Sequence, residues 1–127
     1  MADYRTDRSR VTGLGAAGEG VGHWWTHRVT SVALVPLTIL FLIPFVGALG
    51  SSHDEVLAIY ANPFNAIVAI LFIGVALHHH MAGLQTVIED YIHDKTLRTV
   101  ALLANTLICW ALGLSGVFAV LKIAFTA

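Results

Sequence analysis

The sequence predicts an all-α membrane protein: three transmembrane helices, up-down-up, behind a short N-terminal surface arm. Three observations carry this. The 127 residues are 57% apolar and only 12% charged, against about 25% charged in a soluble domain. The mean hydropathy is +0.76. Three apolar runs each reach the roughly 20 residues that cross about 30 Å of hydrocarbon. Backbone groups in lipid must be satisfied within a helix or a closed barrel, and runs this long without strict alternation mean helices.

Residues 1–28 form the arm, and residues 29–127 the membrane domain, with spans at about 29–49, 63–88 and 99–125. The arm has no apolar core, so it does not read as a cleavable signal peptide. Gly13 to Gly22 is rich in glycine but lacks a preceding strand and a following Lys-Ser or Lys-Thr. It therefore reads as an irregular surface segment and not as a phosphate loop. The first span, Val29 to Leu49, carries no charge, and Pro36 and Pro44 inside it should bend it. Gly50 to Asn62 is a polar connection, and Asn62-Pro63 starts the second span, which runs to Ile88. Glu89 to Arg98 is a polar hairpin. The third span holds one charge, Lys122, near enough to its end to snorkel. Gly113 and Gly116 point to close helix packing there.

Orientation follows the basic residues. Arg5, Arg8, Arg10 and Arg28 precede the first span, the first connection has neither Lys nor Arg, and the second has Lys95 and Arg98. This places the N-terminus in the cytoplasm and the C-terminus in the periplasm of a bacterial inner membrane. In a mitochondrion the N-terminus would face the matrix of the inner membrane. Trp24 and Trp25 fit an aromatic belt at that surface. A formal net charge of −1 excludes a basic nucleic-acid-binding face. Cys109 is the only cysteine and lies in an apolar run, which excludes a disulfide framework and a CxxC site. So small a chain is expected to be one subunit of a larger complex.

The chemistry concentrates in the second span. His78-His79-His80 stands at membrane depth, where ionisable residues are costly and mark function. Consecutive helix positions point about 100° apart, so at most one of the three faces a given cofactor. His79 is the best placed as an iron ligand, because Gly83 one turn on leaves room for a porphyrin. Thr86 and Asp90 continue the same stripe to the helix end. The plain alternative is interhelical hydrogen bonding. A single axial histidine would require the second ligand from another subunit. Asp90-Tyr91 ends the span: a phenol beside a carboxylate suits a quinone carbonyl, or else simply anchors the interface. Arg28, expected at the same membrane level, suits haem propionates or that quinone, or else only fixes topology.

Gly22-His23-Trp24-Trp25-Thr26-His27-Arg28-Val29-Thr30-Ser31, with Val35-Pro36-Leu37, resembles the start of the first helix in the succinate dehydrogenase hydrophobic membrane anchor subunits. His79, Gly83, Gln85, Asp90 and Tyr91 resemble that family's second-helix signature. The resemblance covers about residues 20–98; the third span matches in length and apolarity only.

The resemblance implies the anchor of a succinate:ubiquinone oxidoreductase, non-catalytic itself. It would pair with a cytochrome b556 subunit and dock an iron–sulfur subunit and a flavoprotein subunit. It implies His79 as one axial ligand of a haem b shared with the partner. Tyr91 would donate to ubiquinone beside Asp90, and Arg28 would approach the propionates and the quinone. The neighbours His78 and His80 depart from the barest form of the motif. Two rivals stay open: a structural anchor without haem, and a histidine-lined transporter. The transporter would need paired polar residues on more than one helix.

Overall fold

The computed structural model describes residues 6–12 and 20–126. Arg5, counted above for orientation, and most of the glycine-rich segment lie outside them. The described residues hold five helices: α1 (Asp7–Thr12), α2 (Gly20–Gly47), α3 (His53–Ala61), α4 (Pro63–Tyr91) and α5 (Lys95–Thr126). Three of them, α2, α4 and α5, are long and apolar enough to cross a membrane. These are the three expected spans.

Their ends differ from the sequence reading in consistent ways. α2 starts at Gly20, nine residues before the expected span, so Gly20 to Arg28 is helix and not irregular arm. The glycines argue against helix on propensity alone. Hydroxyls of this stretch bond back along it: Thr26 Oγ1 donates to the Gly22 carbonyl at 2.9 Å, and Ser31 Oγ to that of His27 at 2.8 Å. α2 continues through Pro36 and Pro44 without a break. Past Gly47 the chain turns, and Gly50 takes φ +84°, the left-handed conformation that glycine adopts without a Cβ penalty.

The first connection is not all loop. Ser52 caps α3: its hydroxyl accepts from the Glu55 amide at 3.4 Å, and the Glu55 carboxylate accepts from the Ser52 amide at 2.7 Å. This reciprocal box satisfies two donors that a helix start leaves open. The Ser52 amide, then its hydroxyl, hold the Glu55 carboxyl below the usual glutamate range. Asn62 both ends α3 and caps α4, its side chain accepting from the Phe64 amide at 2.9 Å. Pro63 at the first position of α4 loses nothing, because its missing donor would have been unpaired there. Asn65 Nδ2 donates to the Ile59 carbonyl at 2.9 Å and ties α3 to α4. At the far end only residues 92–94 separate α4 from α5, and Asp94 Oδ1 accepts from the Leu97 amide at 2.7 Å to open α5.

α4 is the central helix. It packs against α2 on one side and α5 on the other, while α2 and α5 share no comparable interface. Both packings are antiparallel. Along α2–α4, His27 meets Gly83 at one end, and Phe41 stacks on Phe72 further along, with ring centroids 4.5 Å apart. Along α4–α5, Ile73 rests on Gly116 and Leu77 on Gly113, each leaving 3.4 Å to an added Cβ. The close packing read from these two glycines is present. The few buried residues, among them Ala66, Val68 and Ala69, lie mostly on α4, and α2 has none. Most of the apolar surface thus faces outward, as suits a helix bundle solvated by lipid.

Candidate functional site

Helix geometry separates the three histidines. His79 is half-buried against α2, while His78 and His80 are exposed. His78 lines a largely apolar groove of about 190 Å³ between α4 and α5, with Leu77, Met81, Cys109, Trp110 and Gly113. The expectation that they cannot share one ligand sphere holds in the structure. Among the described residues no three His, Cys, Asp or Glu side chains converge on a possible metal site.

His79 is held on two sides. Its Nδ1 lies 2.9 Å from Thr30 Oγ1 of α2. Its ring lies 4.1 Å from that of His27, centroid to centroid, at an interplanar angle of 32°. Gly83 does open space on this face, but α2 uses it: a Cβ there would stand 3.6 Å from His27 Nε2. The small residue makes room for a histidine of the neighbouring helix, where the sequence reading gave that space to a porphyrin. No hydrogen bond reaches His79 Nε2 among the described residues, and no unpartnered side-chain nitrogen or oxygen is buried. The ring therefore presents one anchored nitrogen and one accessible nitrogen. That donor set fits a single axial ligand to a haem iron.

Beyond His79 toward the N-terminal end of α2, the helices part into a cleft of about 460 Å³. Its walls include His23, Trp24, His27, Arg28 and Ser31 of α2 and Thr86 of α4. The Arg28 guanidinium carbon sits 5.4 Å from the centre of the Trp24 ring, a cation–π distance. Arg28 is not level with Tyr91. His27 pairs with Gly83 in this antiparallel packing, so Arg28 is level with residue 82 and lies roughly 13 Å along the axis from Tyr91, at about 1.5 Å per residue. The expected level followed from starting the helix at residue 29; α2 instead runs on past Arg28, and its first residue, Gly20, comes closest to Tyr91 in height. The structure thus places Arg28 in the cleft with His27 and leaves Asp90-Tyr91 apart. Tyr91 closes α4 and is 78% exposed. Asp90 is exposed too, and neither side chain has a hydrogen bond or ion pair among the described residues.

The sequence reading missed three polar residues at membrane depth. His27 and Thr30 were read only as part of a motif, yet they sit three apart on one face of α2 and form the wall against His79. Asn105 of α5 is buried, 7% exposed. Its Nδ2 donates to the Met81 carbonyl at 2.9 Å, and Cys109 Sγ lies 3.6 Å from its Oδ1. A lone Asn in an apolar run is a signal in itself, since lipid gives it no partner.

The chain matches the succinate dehydrogenase/fumarate reductase transmembrane subunit family over residues 2–118. It is 36% identical over 124 residues to the succinate dehydrogenase hydrophobic membrane anchor subunit of Paracoccus denitrificans, covering 98% of this chain and 95% of that one. The corresponding subunit of Rickettsia bellii is 29% identical over 102 residues, 80% of this chain and 82% of the relative. That of Rickettsia conorii is 28% identical over 109 residues, 84% and 86% of the two chains. No solved structure gives a significant match.

Proposed function

This chain belongs to the succinate dehydrogenase/fumarate reductase transmembrane subunit family, and from that membership we propose that it is the membrane anchor of a succinate:ubiquinone oxidoreductase, supplying one haem b ligand and part of the quinone site. Its partners would be a cytochrome b556 subunit, an iron–sulfur subunit and a flavoprotein subunit. The N-terminus and the 92–94 link would face the cytoplasm, on the basic residues around them.

The observation that carries the haem reading is the setting of His79. It is the half-buried one of the three and the one hydrogen-bonded to a second spanning helix, with Nδ1 anchored and Nε2 left open. When bound, a haem supplies a one-electron redox centre in the membrane. The chain's part is to hold the ligand nitrogen in place and to set its basicity. Arg28, which lines the cleft with His27, would meet the propionates; its distance along the axis from Tyr91 supports that role over direct quinone contact.

For the quinone, the chain offers Tyr91 and Asp90. The phenol would donate a hydrogen bond to a quinone oxygen as negative charge gathers there. The carboxyl beside it, open to water at the cytoplasmic surface, would return the proton. Both side chains are exposed in the isolated chain, which suits a site completed by other subunits.

The test is ligand replacement in the purified complex. His79→Ala is expected to abolish or gravely alter the haem absorption spectrum, while His78→Ala and His80→Ala leave it near normal. An intact spectrum in the His79→Ala complex would refute the assignment, and loss in His78→Ala alone would move it by one residue.

A further inference from the structure

Among the described residues, one side chain–side chain hydrogen bond joins two membrane-spanning helices: Thr30 Oγ1 to His79 Nδ1, 2.9 Å. Its polarity follows from counting hydrogens. A threonine hydroxyl has a single hydrogen. Two carbonyls of its own helix lie within reach of Thr30 Oγ1, those of Thr26 and His27, each at 3.0 Å. Such back-bonding is the usual way a hydroxyl is satisfied inside a helix. With that hydrogen directed to α2, the imidazole must be the donor. Nδ1–H then points at Thr30, and Nε2 keeps its lone pair. The opposite assignment would put a hydrogen on Nε2, where no acceptor waits, and would leave it unable to bind iron.

We infer that Thr30 is a positioning residue for His79: it selects the Nδ1–H tautomer, fixes the ring, and raises the donor strength of Nε2. The inference rests on reading His79 as a haem ligand. The geometry supports it from a second side, because the His27 ring covers a face of His79 at 4.1 Å. The ring is therefore held at one edge by a hydroxyl and across one face by an imidazole. An acceptor at the distal N–H of a ligating histidine increases its basicity and orients it. A more basic ligand favours oxidised iron, so loss of the acceptor should raise the reduction potential.

The experiment is redox titration of the haem in the purified complex carrying Thr30→Val, Thr30→Ser or Thr30→Ala. Valine keeps the branched shape and lacks the hydroxyl. At a fixed potential it is expected to raise the ratio of reduced to oxidised haem three- to tenfold, a shift of up to about 59 mV for a one-electron couple. Serine, which restores the hydroxyl, is expected to return the ratio to within twofold of the parent. Should the valine complex fail to assemble, alanine against serine gives the same comparison. A parental potential in the valine or alanine complex, or a serine complex shifted as far as they are, would overturn the inference. The His79→Ala complex separates the two levels. If its haem is lost while Thr30 variants titrate like the parent, His79 is the ligand and only the role of Thr30 fails. If its haem is intact, both fail together.

Discussion

The two faces of α4 show how one helix serves two purposes. Toward α5 the contact is mostly apolar and tight: Leu77 and Ile73 rest on Gly113 and Gly116, and the buried polar group, Asn105, donates to the Met81 carbonyl. Toward α2 the contact is polar and opens outward. His79 meets Thr30 and His27, and the helices part into a cleft of about 460 Å³. In lipid, apolar residues gain nothing from meeting one another, so close packing and hydrogen bonds must hold helices together. The α5 side uses small residues for adhesion. The α2 side places its polar contacts around His79, the nitrogen donor proposed as a ligand. Because His78 and His79 are one residue apart, the 100° step per residue assigns them to different faces.

The comparison breaks most sharply under one substitution made on each side. Gly83→Leu would drive a side chain into His27, where an added Cβ already stands 3.6 Å away. Haem content per assembled complex should fall tenfold or more, read from the absorption spectrum against protein mass. Gly116→Leu would overpack the α5 side at a cost of about 1–3 kcal/mol. Thermal melting of the complex should report that loss, with the haem spectrum per complex unchanged. Equal haem loss in both variants would show that the two faces do not differ in role.

A second test moves to the end of α4, away from both interfaces. Tyr91→Phe removes one hydroxyl from an exposed ring. Quinone reduction should drop roughly ten-fold, on the scale of a hydrogen bond to an oxygen gaining charge. The ratio of this activity to succinate oxidation with a soluble acceptor is the quantity to measure. A ratio equal to that of the parent would make Tyr91 an interfacial anchor only.

The smallest expected effect lies on the opposite side of the bilayer. The Glu55 carboxyl is held below the usual range by Ser52. A lowered folded value means that its contribution to the α3 cap is present at neutral pH and down to the unfolded glutamate value. It is lost only as pH falls through the lower, folded one. Hydrogen exchange at the Ser52 and Glu55 amides should therefore quicken, relative to intrinsic rates, only in acid. Exchange at α4 and α5 should not follow. Fraying of α3 already near neutral pH would contradict the assigned shift.

The spans were legible because their signal is long and local: some twenty apolar residues leave little choice. The boundaries were less so. Gly20 and Gly22 suggest a loop by propensity, and the helix that includes them gains from hydroxyl back-bonds and from α4. The α3 helix was within reach, since Ser52 followed three residues later by Glu55 is a capping-box pattern, but nine residues between two spans were easily taken as loop. At the site, spacing singled out His79 among its neighbours. It said nothing of Thr30, 49 residues away in sequence, because a contact across helices leaves no periodic trace. The height of Arg28 was misjudged for the same reason as the start of α2. A span counted from its first uninterrupted apolar stretch omits the turns that continue it through the interface.

The double back-bond of Thr30 also bears on the order in which the protein is made. α2 precedes α4 in the chain, so its hydroxyl can enter the bilayer before His79 is there to meet it. Its hydrogen is already placed on carbonyls of the same helix, at 3.0 Å each. α2 can thus be inserted alone without exposing an unpaired donor to lipid. What remains open on Thr30 is a lone pair, which costs less to leave waiting than a hydrogen. When α4 arrives, its imidazole finds an acceptor that needs no rearrangement, and the nascent chain selects the tautomer at the moment the two helices meet.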